Sequence, residues 1–424
     1  MGVRLRPVRH TAPVSTGPSS YASVLRDREV RALLVSDALS TLGDQVARVA
    51  VALLVLDRSG SALAASATYA LSYLTWMLAG PLLSAIPDRY PRRRVMVVCD
   101  LLRAALVGVL AVPGLPLWVV FGVLGLAGVL APPNDAARSA LLADLVEGER
   151  YVKANALNNT IGQAAQVLGF VTGGALVVAV GVRGALLADA LTFVLSGLLL
   201  RVLVRERVLE RVGAAVSARA EAIAGVRLVL GDPRLRGLLA WGLLTAGSVI
   251  ATEGLAVSVV AEQGGGPFLV GVLTAAAPVG FLVGSALLLR VPAERREALF
   301  PVLVASSCLL LMLSPLVDDL RLLAGLWVLA GLGNALQLVA NSAFVQAVPS
   351  HLRGRAFGFA GAALFAVQGA VLLAAGGLAE LIGPRAAVAA AAAACVLVLV
   401  LLRHDRRAVP EAQGTPVLGR SESR

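Results

Sequence analysis

Residues 80–94 read Gly80-Pro81-Leu82-Leu83-Ser84-Ala85-Ile86-Pro87-Asp88-Arg89-Tyr90-Pro91-Arg92-Arg93-Arg94. One acid and four arginines fall within the seven residues that begin at Asp88, and long apolar segments flank them on both sides. Such a cluster cannot lie in hydrocarbon, where one ionised side chain already costs about 2.5–3.5 kcal/mol on insertion scales. The stretch is therefore a short turn at a membrane surface, and the apolar segments are what it joins.

Composition agrees with that reading. Of 424 residues, 58% are hydrophobic, and the mean hydropathy of +0.83 lies far above that of an ordinary soluble domain. A helix needs roughly 20 apolar residues to cross a bilayer core, and runs of that kind recur along the chain between brief polar turns. They are continuous and rich in Leu, Val and Ala, whereas a β-barrel would alternate. The fold class is therefore an all-α membrane protein, and a soluble enzyme is excluded. Twelve transmembrane helices are expected, spans 1 to 12, at roughly 30–56, 61–86, 93–113, 116–143, 151–179, 182–204, 235–261, 267–290, 297–316, 319–347, 354–380 and 384–403.

The basic residues choose an orientation. The net charge is +11, which in a soluble chain would suggest nucleic acid. Here 30 of the 37 Lys and Arg collect on one side if the N-terminus is inside, and the opposite loops hold only Arg58, Arg183, Arg321 and Arg385. The positive-inside rule then places both termini and the Asp88 turn in the cytoplasm, with no nucleic-acid partner. Residues 1–29 lack a hydrophobic core segment and read as a disordered tail rather than a signal peptide, and 404–424 read the same way. Cys99, Cys308 and Cys395 lie inside apolar runs with no disulfide or metal spacing.

The halves 30–204 and 235–403 align at an offset of 205. Asp57 falls on Glu262, Pro87 on Pro292, Arg150 on Arg355 and Gln163 on Gln368, while Arg89–Arg94 falls on the weaker Glu294-Arg295-Arg296-Glu297. Equal span counts and these matches predict two pseudo-symmetric six-helix bundles. Residues 205–234 join them as a cytoplasmic linker, in which Ala222–Leu230 reads as an interfacial helix.

The opening stretch resembles the loop between helices 2 and 3 of the major facilitator superfamily, Gly-x-x-x-Asp-Arg-x-x-Arg-Arg. Asp88, Arg89, Arg92 and Arg93 match; Ser84 replaces the leading Gly, and Pro91 the Gly usual before the arginine pair. Leu145–Leu157 is similar to the superfamily's loop 4–5, His351–Gly358 to its loop 10–11, and Gly169–Gly174 to its helix-5 glycine patch. Val95-Met-Val-Val-Cys-Asp-Leu-Leu-Arg103 resembles the 12-helix drug:proton antiporter branch with macrolide efflux pumps and the enterobactin exporter. The resemblance covers residues 30 to about 403 and implies the superfamily's fold and an exporter. It further implies that Asp88 meets the N-terminal end of span 11, near Arg355, as a conformational latch that steadies the outward-open state. A helix N-terminus carries about +0.5 charge, so the attraction is physically sound. Topology anchoring at an anionic leaflet is the competing role for the arginines.

Charges inside spans need a reason. Asp37, Thr41, Asp44 and Arg48 lie on one face of span 1, flanked by Gln45. The stripe is either the wall of a watery cavity with Asp44 as a proton or cation site, or an i,i+4 pair of Asp44 with Arg48 that merely neutralises both. Span 4 carries Asn134, Asp135 and Arg138; span 7 carries Thr245, Ser248, Thr252 and Glu253; span 10 carries Asn334, Gln337 and Asn341; Asp189 lies in span 6. Spans 1, 4, 7 and 10 line the central cavity in the superfamily, so these residues are its candidate lining, with helix–helix hydrogen bonding as the plainer role. Arg48 and Glu253 are repeat-equivalent and of opposite charge, which predicts a pair across the halves when the outer gate is shut.

No phosphate-cradling Gly-x-x-x-x-Gly-Lys-Ser/Thr segment is present, and the one lysine, Lys153, lacks the preceding glycine. His10, His351 and His404 all fall outside the spans. Coupling should then come from an ion gradient acting on buried carboxylates, with no cofactor and no metal. The expected protein is a monomeric, proton-coupled exporter of small amphipathic molecules in the plasma membrane, an inner membrane where there are two. Nutrient import by symport, and a non-transporting receptor or chaperone on the same scaffold, are the alternatives. With aromatics at 4%, no aromatic cage for an ammonium is expected.

Overall fold

The computed structural model describes residues 21–207, 218–335, 337–349 and 352–404. His10, His351, most of both tails and part of the linker lie outside them. Every regular element among the described residues is helical.

Span 1 is Arg28–Ser59, with Asp27 as its cap: the carboxylate accepts from the amides of Glu29 (2.9 Å) and Val30 (3.3 Å). It stops at Gly60, whose φ of 64° suits a residue without a Cβ. Span 2, Ala62–Leu83, begins on Ser61 and runs into a 3₁₀ turn at Ile86–Asp88, followed by span 3 at Arg92–Leu110. Span 4 is two helices, Leu117–Val129 and Ala131–Leu145, broken at Leu130 just ahead of Pro132-Pro133. Spans 5 and 6 run together as Gly148–Leu203, and their expected connection shrinks to Gly181 (φ 72°).

A helix at Ala218–Gly231 precedes span 7 at Pro233–Glu262. Spans 8 and 9 are Pro267–Leu288 and Ala293–Met312. Span 10 is again broken, into Leu320–Asn334 and Gln337–Ala347. Spans 11 and 12 are Arg353–Ile382 and Pro384–His404. Eight of these helices cross a bilayer on length and composition alone. The Gly148–Leu203 rod, at 56 residues, accounts for two crossings. Spans 3, 9 and 10, more charged or in shorter pieces, complete twelve.

The internal repeat is visible in detail at the same offset of 205. Asp27 and Asp232 cap spans 1 and 7 in the same way, each accepting from the amides two and three residues on. Arg31 Nη1 donates to Leu25 O (3.5 Å), and Arg236 Nη1 donates to Leu230 O (3.2 Å). The break at Leu130 recurs at Ala335. Two copies of one six-helix plan therefore keep the same caps and the same broken helix.

The bundle has a basic end, which carries the 80–94 turn, and an opposite end, where span 1 finishes and span 2 starts. The halves pack against each other in the part nearer the opposite end. Gly376 of span 11 lies against Leu63 and Ser66 of span 2. Gly174 of span 5 meets Gly271 of span 8 so closely that a Cβ on either would strike backbone. Ser66 Oγ donates to Gly254 O across the halves (3.0 Å). Glu380, near the end of span 11, accepts from the Ser61 hydroxyl and from the Leu63 amide (3.3 Å) at the start of span 2.

Candidate functional site

The polar face of span 1 does not form the internal Asp44–Arg48 pair. Each of its charges instead reaches a different helix. Asp37 pairs with Arg138 of span 4. Asp44 accepts from Arg103 Nη2 of span 3 at 2.6 Å. Arg103 also stacks on the Phe193 ring, its Cζ 4.3 Å from the centroid. Arg48 lies over the Tyr73 ring of span 2 at 5.7 Å. The predicted direct Arg48–Glu253 pair across the halves is absent among the described residues. The Glu253 Oε2 atom is buried with no hydrogen-bond partner among the described residues.

Asp44, Arg48, Arg103 and Tyr73 border a cavity of about 300 Å³, together with Thr41, Gln45, Asp135 and Asp189. Asp135 accepts from Trp76 Nε1 at 3.3 Å. Trp76 stacks on Phe365 of span 11 with ring centroids 4.7 Å apart, and Tyr73 lies 6.0 Å from the same ring. An aromatic group thus forms where none was expected from composition, because the fold collects side chains from both halves. Asp189 accepts from Thr192 Oγ1 (3.2 Å) and is lodged where spans 1 and 6 touch, so that Gly43 has no room for a side chain.

Behind the cavity lies a second polar group. Asp100 of span 3 is 0% exposed and accepts from Asn134 Nδ2 (2.8 Å) and Ser196 Oγ (2.7 Å). Asn134 Oδ1 in turn accepts from Arg138 Nη2 at 3.2 Å. The chain Asp37–Arg138–Asn134–Asp100–Ser196 so links spans 1, 4, 3 and 6. Sequence reasoning passed over Asp100, Tyr73, Trp76 and Phe365. For Asp100 the signal was present, since it is a charge inside an apolar run like the others. For the aromatics there was none.

The expected lining in the second half behaves differently. Thr245, Ser248 and Thr252 each donate to a carbonyl three residues back, at 2.9, 2.8 and 2.7 Å. Gln337 and Asn341 border a separate space of about 260 Å³, among Leu238, Phe344 and Phe357. Asn334 stands at the end of the first piece of span 10. The four stripes are therefore not brought to one cavity; spans 1 and 4 share it with spans 2, 3 and 6 and with Phe365 of span 11.

The expected latch residues lie apart in this structure. Asp88 is exposed, with no hydrogen bond or ion pair to its carboxylate among the described residues, and Arg89 and Arg355 are exposed as well. Arg92 pairs with Asp144 at the end of span 4. Arg93 and Arg94 hold Glu206, just past span 6, at 2.6 and 3.0 Å. The turn is tied to its own half.

Comparison with known proteins follows the same lines. The chain is 28% identical to the multidrug efflux pump Tap of Mycolicibacterium fortuitum over 80% of its length and 87% of Tap. It is 28% identical to the uncharacterized MFS-type transporter YkuC of Bacillus subtilis, over 42% of each chain. To macrolide efflux protein A of Streptococcus pyogenes it is 28% identical over 27% of this chain and 30% of that one. The last two matches thus span less than half of those relatives. Among solved structures, a POT family transporter in complex with 5-aminolevulinic acid superimposes with a TM-score of 0.73 at 11% identity, over 91% of this chain and 97% of that one. The Major Facilitator Superfamily profile matches residues 33–318 and 294–420. With twelve spans, two copies of one six-helix plan and a polar cavity inside them, the chain belongs to the Major Facilitator Superfamily and is a membrane transporter rather than an enzyme.

Proposed function

We propose that this chain is a proton-coupled exporter, an antiporter, of small amphipathic molecules such as drugs or secondary metabolites. It works as a monomer in the inner membrane with both termini in the cytoplasm. The observation that carries this reading is the charge of the central cavity. Three carboxylates, Asp44, Asp135 and Asp189, face two guanidiniums, Arg48 and Arg103. One unbalanced negative charge within the membrane-spanning bundle requires a partner. A proton or a cationic amphipath supplies it, and each displaces the other, which is what antiport requires. Trp76, Tyr73 and Phe365 offer an aromatic wall beside Asp135 for the body of such a molecule.

The names of two relatives, a multidrug efflux pump and a macrolide efflux protein, support export over uptake. Alternating access of the two halves supplies the movement. With the basic end inside, the present packing closes the outer side of the cavity. In the opposite state Asp88 docks on the start of span 11, next to Arg355, and holds the inner side shut. The test is ethidium efflux from cells, with and without an uncoupler, comparing wild type with Asp44→Asn. Uncoupler should stop wild-type efflux, and Asp44→Asn should resemble the uncoupled wild type. Efflux that ignores the uncoupler would sink the antiport reading.

A further inference from the structure

Three carboxylates in the interior of the first half's spans, Asp100, Asp135 and Asp189, have no ion pair with an arginine among the described residues. Asp135 and Asp189 border the cavity, and Asp100 does not. Asp100 is fully buried, and both its oxygens are met by neutral donors, Asn134 and Ser196. The other titratable groups acting on it are Arg103 on its own helix and Asp44 on span 1, with Asp135 nearby on span 4. Cys99, its chain neighbour, is also buried.

The internal repeat serves as a control for what this group is for. At the offset of 205, Asp37, Asp100, Asn134, Arg138 and Ser196 correspond to Gly242, Ala305, Val339, Ala343 and Leu401. The second half builds the same break in span 10 with none of these polar side chains. The polar chain is therefore not needed to make a broken fourth helix.

What it touches suggests its use. Asn134, held by Asp100, is followed by Asp135, whose carboxylate meets Trp76 at the cavity. Both stand on the first turns after the break at Leu130. From this geometry, and resting on the antiport reading above, we infer that Asp100 is a proton-holding positioning residue, which grips the Asn134–Asp135 turn as a carboxylate and releases it as a neutral acid. A hydronium ion gives its proton to Oδ2: one O–H bond of hydronium breaks, leaving water, and the O–H bond of the neutral acid forms. The Ser196 hydroxyl, which donates to that oxygen here, rotates and accepts from the new O–H. No further covalent bond changes, and in the reverse step the acid O–H breaks as water takes the proton back to become hydronium. Hydrogen bonds to an ionised acceptor are roughly twice as strong as those to a neutral one, so protonation weakens the hold on Asn134. Proton occupancy at Asp100 and substrate contact at Asp135 are then linked through two adjacent residues.

The test uses full-length protein in proteoliposomes with ethidium as probe and an imposed pH gradient. Asp100→Asn, which cannot titrate, should lose gradient-driven accumulation and show a flat pH profile while still exchanging ethidium between the two sides. Ser196→Ala keeps the acid and removes one donor to its charged form. It should therefore move the midpoint of the pH profile upward, an effect that a packing role would not produce. If wild-type accumulation ignores the gradient, the antiport reading itself falls. If wild type responds, an unchanged pH profile in Asp100→Asn overturns the inference. Should Asp100→Asn fail to fold, an unmoved midpoint in Ser196→Ala overturns it equally.

Discussion

The two halves of this transporter share a backbone plan and differ in what they bury. The first half holds Asp37, Asp44, Arg48, Asp100, Arg103, Asp135, Arg138 and Asp189 within its helices. Their repeat partners are Gly242, Val249, Glu253, Ala305, Cys308, Ala340, Ala343 and Ala394, of which only Glu253 is charged. Identical caps at Asp27 and Asp232, and matching breaks at Leu130 and Ala335, show that the scaffold tolerates either interior. Burying charge is costly, so a half that keeps eight such residues where its copy keeps one has them for a task other than folding. The second half looks like the surface against which that task is performed.

The sharpest way to break this comparison is to remove charge from each half in turn. Asp44→Asn should lower uncoupler-sensitive ethidium efflux by about 10²-fold, the scale typical of losing a proton-transfer group. Ser248→Ala, in the second half, should leave it within about twofold, because that hydroxyl donates back to its own backbone. Equal losses would make the two halves functionally alike. A smaller effect is expected at the seam. Leucine at Gly174 or Gly271 has no space between spans 5 and 8, and should prop the opposite end open. A cysteine at Thr68, in a background lacking the three native cysteines, should then react several-fold faster with a membrane-impermeant thiol reagent applied outside.

Smaller again is the effect of Glu380→Ala. It removes the carboxylate that crosses from the second half to the start of span 2, and should raise the same labelling rate by roughly twofold to fivefold, as expected for an exposed charge at a helix N-terminus. The smallest change is confined to the second half. Asp319 caps span 10 by accepting from the amides of Arg321 (2.7 Å) and Leu322 (3.1 Å), and these bonds hold its pKa below the ordinary value. A group with a depressed folded-state pKa stabilises above its unfolded pKa, and that contribution is lost as pH falls through the folded value. The Tm difference between wild type and Asp319→Ala should therefore be largest near neutrality and shrink in acid.

Much of the scaffold was legible because it rests on signals local in sequence. Apolar runs of bilayer length gave the spans, and charges stranded inside them marked Asp37, Asp44, Asp135, Arg138, Asp189 and Glu253. Even the repeat could be counted, since Pro87, Arg150 and Gln163 fall on Pro292, Arg355 and Gln368 at one offset. What stayed hidden was the choice of partner. Asp44 has an arginine four residues away on its own helix, yet the one it meets is Arg103 of span 3. Arg48 and Glu253 are opposite in charge and equivalent in position, yet Arg48 lies over the Tyr73 ring instead. Those choices depend on how helices turn about their axes when packed, which a periodic pattern leaves open. The expected wall from spans 7 and 10 failed for the same reason. Thr245, Ser248 and Thr252 are polar in sequence, but in place they satisfy their own helix.

The single-glycine turn at Gly181 bears on how this protein is made. Spans 5 and 6 form one rod of 56 residues, Gly148–Leu203, folded back on itself at that residue. Almost no polar chain has to be carried across the bilayer between them. During synthesis the pair can therefore enter the membrane together as a helical hairpin, and an epitope placed at Gly181 would alter the insertion step itself before it ever reported on the finished protein.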